Sequence, residues 1–332
     1  MSSIREVARI AGVSVATVSR ALSNPEKVSR ESIKKVQAAI EKVQYRPNML
    51  ARNFRSTRAW SIVVLVPDIT NPFFSLVIRG IEDQAQQKGY AVLLGDTRDS
   101  ASREQEYIKL VETRLSDGVI QLRPYSAGML TKKQEGIAYV SACGCESTPG
   151  PSVRIDNAGA ARMMVDHLLS LGHRRIGVIS GLKENPHTQD RLSGYKQSLA
   201  AAGIAFREEL IAEGDFTMWS GQNAALHFCK MNPRPTAIFC MNDEMAFGAI
   251  QSLKAQGIDV PLDISVTGFD DIPYARHWDP PLTTIAQPAK EIGQAAFDAL
   301  LKLVEGETLG QRENILPYEF VMRKSTAPAK QG

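Results

Sequence analysis

Ile4, Val7, Ala8 and Ala11 recur at i, i+3, i+4 and i+7, the spacing of one apolar helix face. Gly12 can close that helix in the left-handed conformation, and Ser14 is suited to cap a second one. On the second helix Thr17, Val18, Ala21 and Leu22 fall on one side, and Val15, Ala16, Ser19 and Arg20 on the other. Asn24-Pro25 makes a turn, Ser29 caps a third helix, and Tyr45-Arg46-Pro47 stops it. Ile33, Val36, Ala39, Ile40 and Val43 form its inner face. The pattern predicts an all-α helix-turn-helix head over 1–46, whose outward face would lie in a DNA major groove. The stretch 48–55 is helical in composition but too short to hold alone in water. It is expected to be a hinge, within a linker over 47–58, that orders when two copies meet on DNA.

From Trp60 the pattern alternates between apolar runs of strand length and helical periods. The first run predicts strands over 61–67, 90–95, 118–122, 137–142 and 153–155, with helices over 74–89 and 103–115. The second predicts helices over 158–171, 189–202, 219–231 and 244–256, with strands over 175–180, 210–213, 236–240 and 265–269. A helix over 291–304 and a strand over 315–322 return to complete the lobes. The fold class is α/β, two parallel sheets in two lobes. One lobe spans 59–157 and is completed by 288–315. The other spans 158–287 and is completed by 316–328.

Ligands of open parallel sheets bind beyond the carboxyl ends of the strands. Those ends carry Asp68, Asp96, Arg123 and Ser141 in the first run, then Asp215-Phe216, Asn242-Asp243 and Asp270-Asp271 in the second. Carboxylates and an amide suit a hydroxyl-rich ligand, and Phe73, Phe74 and Phe216 could pack on a flat ring. The competing reading makes these residues strand-end turns and helix caps, with at least equal weight for Asp96 and Asp243.

Charge adds a partner. Residues 1–58 hold twelve Lys and Arg against four Asp and Glu, and the remainder 27 against 32, so a basic head precedes a mildly acidic body. No stretch nears the roughly 20 apolar residues of a membrane span, and the amino end is charged and amphipathic, so a cytoplasmic protein without membrane contact is expected. Four cysteines agree with a reducing compartment, and Cys143-Gly144-Cys145 reads as free thiols, so no metal is expected. Phosphate loop, Gly-x-Ser-x-Gly elbow and His-Glu-x-x-His motif are all missing, which argues against an enzyme and leaves no catalytic residue to name. His187 near Asp190 could form a catalytic pair, but a ligand-contacting or surface histidine is the better reading. A solute-binding protein for transport fits the two lobes equally well but has no use for the basic head.

The run from Val7 to Leu22 resembles the lactose/galactose-repressor (LacI/GalR) family of bacterial transcription factors. So do Tyr45-Arg46-Pro47-Asn48, Pro67-Asp68-Ile69-Thr70-Asn71-Pro72-Phe73-Phe74, Gly172-His173-Arg174-Arg175-Ile176-Gly177 and Pro281-Leu282-Thr283-Thr284-Ile285-Ala286-Gln287-Pro288. The resemblance implies a periplasmic-binding-protein-like body and a repressor acting as a homodimer, sometimes a tetramer, on a pseudo-palindromic operator. It makes Val15, Ala16 and Arg20 the base readers and places Ser14 and Ser19 on phosphates. Asn48, Arg52 and Arg55 join them from the hinge, where Phe54 stands in place of the family's minor-groove leucine. For the effector it implies Phe73, Phe74, Arg191, Phe216, Asn242 and Asp270, to which the strand-end reading adds Ser141. A cytidine-responsive subgroup looks closest, in 64–75, in Gly214-Asp215-Phe216-Thr217 and in Asp279-Pro280-Pro281. The implied effector is a nucleoside such as cytidine, with a free sugar or a purine base as the alternatives. Residues 182–187 depart from that subgroup and should touch the base or aglycone end.

Overall fold

The computed structural model describes residues 3–23, 25–45, 58–123, 136–145, 148 and 150–330. The expected hinge, with Asn48, Arg52, Phe54 and Arg55, lies outside the described residues. The chain divides into two compact units, Met1–Ala59 and Trp60–Gly332.

In the first unit, α1 (Ile4–Ala11) begins at Ser3, whose hydroxyl accepts from the Glu6 amide, and ends at Gly12 with φ 65°. The second helix, α2 (Val15–Ser23), begins at Ser14, whose hydroxyl accepts from the Thr17 amide at 3.1 Å. Ser29 caps α3 (Arg30–Val43) in the same way, through Ser32. Val7, Ala8, Ala11, Val18, Val36 and Ala39 are buried together between the three helices. Two positions depart from the simple two-sided reading of α2. Val15 is half-buried and packs against this core, while Leu22 is 36% exposed. A head with six buried apolar side chains has no room for a full second face on a short helix.

In the second unit, β1 (Ser61–Val66) is buried at every position. It lies between β2 (Ala91–Asp96) and β3 (Gly118–Gln121), parallel to both. Ile62, Val64 and Val66 point into one core with α4 (Pro72–Gln87), and Val63 and Leu65 into another with α5 (Ala101–Glu112). Helices on both faces are why this strand is a continuous apolar run. Beyond β3 follow β4 (Ala138–Ala142), β5 (Ser152–Arg154) and the late strand β11 (Glu313–Ile315), giving the order β11-β5-β4-β3-β1-β2.

The second sheet has the order β7-β6-β8-β9, from β6 (Ile176–Ser180), β7 (Ile211–Glu213), β8 (Ala237–Cys240) and β9 (Ser265–Thr267). Its helices are α6 (Asn157–Ser170), α7 (Pro186–Ala201), α8 (Met218–Cys229) and α9 (Asp243–Ala255). A short antiparallel ribbon, β10 (Thr284–Ala286) with β12 (Glu319–Val321), follows on from it through bridges at Thr267–Thr283 and Asp270–Ala286. The single strand expected over 315–322 is therefore two strands in two sheets. Pro317 stands between them, and without an N–H it cannot continue a ladder.

Helix α10 (Ala289–Val304) crosses back onto α4. A Cβ at Gly80 would strike the carbonyl of Lys290, and one at Gly293 the carbonyl of Val77, so each glycine admits the other helix's backbone. Gly293→Ala is expected to cost about 1–3 kcal/mol through overpacking. Thermal unfolding checks it: the melting temperature should fall by several degrees. Gly310→Ala, with nothing within 4 Å of the added carbon, should leave it unchanged.

Candidate functional site

The carboxyl ends of both parallel sheets face a cavity of about 320 Å³. After β1, Asn71 accepts from the Phe73 amide at 2.9 Å, and Pro72 occupies the first turn of α4. That cap sets Phe73 and Phe74 at the cavity, their rings edge to face with centroids 5.5 Å apart. The second lobe repeats the device. Asn185 accepts from the His187 amide at 2.9 Å, with Pro186 in the first turn of α7. This cap starts α7 at residue 186 rather than the expected 189, and it brings Leu182, Asn185 and His187 of the divergent 182–187 segment to the cavity wall.

One turn further along α7, Arg191 is 4% exposed. Its Nε donates to Asn157 Oδ1 at 2.9 Å, its Nη1 donates to the Met241 carbonyl, and its guanidinium lies 3.6 Å over the Phe269 ring. Burial lowers its pKa to about 10, against the pull of Asp270, so it is cationic at neutral pH. Asp270 has φ 115°, an unusual backbone for a residue with a side chain. Its Oδ1 accepts from Gln287 Nε2 at 2.7 Å, and burial raises its pKa to about 6 although Arg191 opposes the rise.

A polar relay runs from Arg191 toward the first sheet. Asn157 gives its Oδ1 to Arg191, so its Nδ2 donates to His187 Nδ1 at 3.3 Å. His187 Nε2 then carries the hydrogen and donates to the Cys143 carbonyl at 3.0 Å. Burial, with Arg191 nearby, pushes the His187 pKa down to about 3, which keeps the ring neutral in this arrangement. Both ring nitrogens are thus engaged, one by Asn157 and the other by Cys143. Cys143 is buried and its thiol is pushed up to about 12, so it is no nucleophile.

Phe216, at φ 70°, also lines the cavity. Its ring occupies the space a side chain at Gly181 would need, and its carbonyl accepts from Asn242 Nδ2 at 2.8 Å. Asn242 lines the cavity too, but its Oδ1 caps α9 by accepting from the Met245 amide. Four of the strand-end candidates do not line the cavity: Ser141, Asp243, Asp96 and Asp271, the last paired with Arg323 at 2.7 Å. Ser141 is fully buried on β4 and is not among the lining residues, because the chain passes the cavity at Cys143 and Gly144 instead. Asp243 is also fully buried: Thr284 Oγ1 donates to it at 2.6 Å and the Ile272 amide at 2.9 Å, so it ties α9 to the ribbon. Asp96 pairs with Arg98 at 3.1 Å, away from the cavity.

Glu244 escaped the sequence reading, since an acid in the first turn of a helix is an ordinary surface feature. Here it lines the cavity, and burial together with Asp270 and Asp68 raises its pKa to about 7. A carboxyl whose folded value lies above its ordinary 4.5 costs nothing below that pH. The cost develops as pH rises toward 7, because the fold retains a proton that the unfolded chain releases. Glu244→Gln should therefore match the parent's melting temperature at about pH 4.5 and exceed it at about pH 8, a difference that a pH series of thermal melts would read. Among the described residues no group of three or more His, Cys, Asp and Glu could hold a metal ion.

In the first unit, Ser14, Ala16 and Arg20 are exposed, with Val15 and Ser19 half-buried beside them. Residues 3–48 match the family of bacterial regulatory proteins, lacI family, and residues 165–326 match the periplasmic binding protein-like domain. The HTH-type transcriptional repressor CytR of Escherichia coli (strain K12) is 40% identical over 328 residues, covering 98% of this chain and 96% of that protein. The chain belongs to the LacI family. Among solved structures of this family, the lac repressor dimer bound to operator and the anti-inducer ONPF superposes with a TM-score of 0.90 at 28% identity, over 98% of this chain and 99% of that one. A LacI-family regulator from Enterococcus faecium with bound ribose has a TM-score of 0.72 at 31% identity, over 81% of this chain and 100% of that one. As a LacI-family protein, the chain pairs a DNA-binding helix-turn-helix with an effector-binding body. No helix among the described residues is long and apolar enough to cross a membrane.

Proposed function

We propose that this repressor is controlled by a nucleoside held between the lobes of its body. The observation that carries the reading is the pairing of Arg191 and Asp270 beside Phe73, Phe74 and Phe216 in one cavity of about 320 Å³, a size within the usual range for small-molecule sites. A vicinal diol can accept from the guanidinium and donate to the carboxylate, which suits ribose. The aromatic rings offer faces to a base. The cavity is lined by five carboxylates, Asp68, Asp99, Asp215, Glu244 and Asp270, against three arginines. Arg123 is held by Glu104 at 3.1 Å and Arg154 by Glu313 at 2.9 Å. That balance disfavours a phosphorylated ligand and favours the nucleoside over the nucleotide.

The ribose-bound relative makes a free sugar the second reading. A thermal-shift screen of nucleosides, bases and sugars separates them, because a ligand of the folded state raises the melting temperature according to its affinity. Nucleosides should give the largest shifts, and ribose matching them would transfer the reading to the sugar.

On DNA, we infer that Val15, Ala16 and Arg20 meet base edges, that Ser14 and Ser19 meet phosphates, and that two copies bind one operator. Leu93 and Leu94 on the edge strand β2 are 40% and 42% exposed, an apolar edge fit to meet a second copy. The hinge residues Asn48, Arg52, Phe54 and Arg55 belong to the same proposal. Equal amide-exchange protection of residues 48–55 in free and operator-bound protein would overturn their ordering on DNA.

A further inference from the structure

Most of the polar groups of this cavity already have partners in the protein. Asp68 accepts from the amide and the hydroxyl of Thr70 at 2.8 and 2.7 Å. Asp215 accepts from the amide and the hydroxyl of Thr217 at 3.0 and 2.6 Å. Asp270 accepts from Gln287. Glu244 lines the same cavity with no hydrogen bond or ion pair to any described residue, and it is half-buried. An unpartnered carboxylate out of full contact with water is costly, and its neighbours Asp68 and Asp270 add like charge to it. Burial and those two acids hold its pKa well above the ordinary range, the opposite of what a first-turn helix position alone would do. What relieves such a group is a hydrogen-bond donor arriving with the ligand.

We propose that Glu244 selects effectors by an amino group, accepting its N–H and rejecting the oxo analogue that presents a carbonyl oxygen at the same place. The ionised carboxylate has no hydrogen to give, so facing a carbonyl oxygen leaves two acceptors unsatisfied and repelling. The protonated acid could donate to that oxygen, so the discrimination belongs to pH above about 7. This rests on the cavity being the effector site. In nucleoside terms it assigns an amine-bearing base over its oxo counterpart.

The test uses the full chain and matched pairs, cytidine with uridine and adenosine with inosine, and glucosamine with glucose as a pair without a base. Binding is read as the concentration dependence of the melting temperature at about pH 8, where the Glu244 carboxyl is ionised, for the parent and for Glu244→Gln. The parent should bind the amine-bearing member about tenfold more tightly or better. Glu244→Gln, whose amide both donates and accepts, should bring the two within about twofold of each other. If the parent binds both members equally, or Glu244→Gln keeps the preference, the assignment is overturned. If only the amino sugar binds, with a preference that Glu244→Gln abolishes, Glu244 keeps this role and the nucleoside reading falls. If no amine-bearing probe of either scaffold binds, the assignment is overturned.

Discussion

Replacing Arg191 with Met should abolish the thermal shift produced by any effector that stabilises the parent protein, a loss of about a hundredfold or more in affinity. The guanidinium is buried, and it supplies donors and the nearest positive charge to Asp270. Each charge-assisted hydrogen bond lost from such a site costs about 1.5–3 kcal/mol, and two of them exceed the hundredfold mark. Asp270 without its cation should also hold its proton to a pH above the present value of about 6. Arg191→Lys separates charge from shape, because an ammonium keeps the charge but cannot span Asn157, Met241 and a ligand with one planar fork. It should recover only part of the shift. The unliganded melting temperature of each variant reports whether the fold survives, and a full ligand shift in folded Arg191→Met would remove Arg191 from the effector site.

Arg20→Ala should weaken binding to the operator by about 1–3 kcal/mol, or roughly five- to 150-fold, and relax the preference at one base position. Arg20 is exposed on α2 beside Ala16, which has no polar side-chain atom, and Val15 is half-buried against the head core. The apolar pair can meet a thymine methyl but cannot hydrogen-bond a base edge, so direct readout falls to the arginine. Scrambled DNA should bind the variant almost as it binds the parent, with a similar dependence on salt. A phosphate-contacting arginine would behave otherwise, weakening both DNAs alike and reducing the salt slope by about one. Titration of operator and scrambled duplexes at two salt concentrations distinguishes the two roles.

Much of the cavity is legible in the order of residues because its elements rest on short-range chemistry. Asn71-Pro72 and Asn185-Pro186 are cap-and-first-turn pairs, a short-range signal that the expected starts at 74 and 189 passed over. Strands ending in polar residues mark the edge where open parallel sheets take ligands, and Phe73, Phe74, Arg191, Phe216, Asn242 and Asp270 do meet there. Two strand-end residues that do not line the cavity show what the order of residues leaves open. Ser141 and Asp243 also stand at or beside strand ends, but one backs the wall at Gly144 and the other is drawn under the ribbon by Thr284. Periodicity tells which residues lie near the end of a strand, not which of them the next crossover covers.

The succession of helices and strands, the caps at Ser14 and Ser29, the basic head and the family all depend on composition or on residues a few positions apart, and the amino-acid sequence was enough to specify them. Long-range packing was needed for the rest. It divides one apolar run between two sheets at Pro317, and it joins Arg191, Asn157, His187 and Cys143, residues up to 48 positions apart, into one relay. It also sets Glu244 among acids from other strands without a bonding partner among the described residues. Those outcomes follow from how the crossovers bring distant segments into one low-dielectric space, where a carboxylate that is unremarkable on a helix surface becomes a demand on whatever binds.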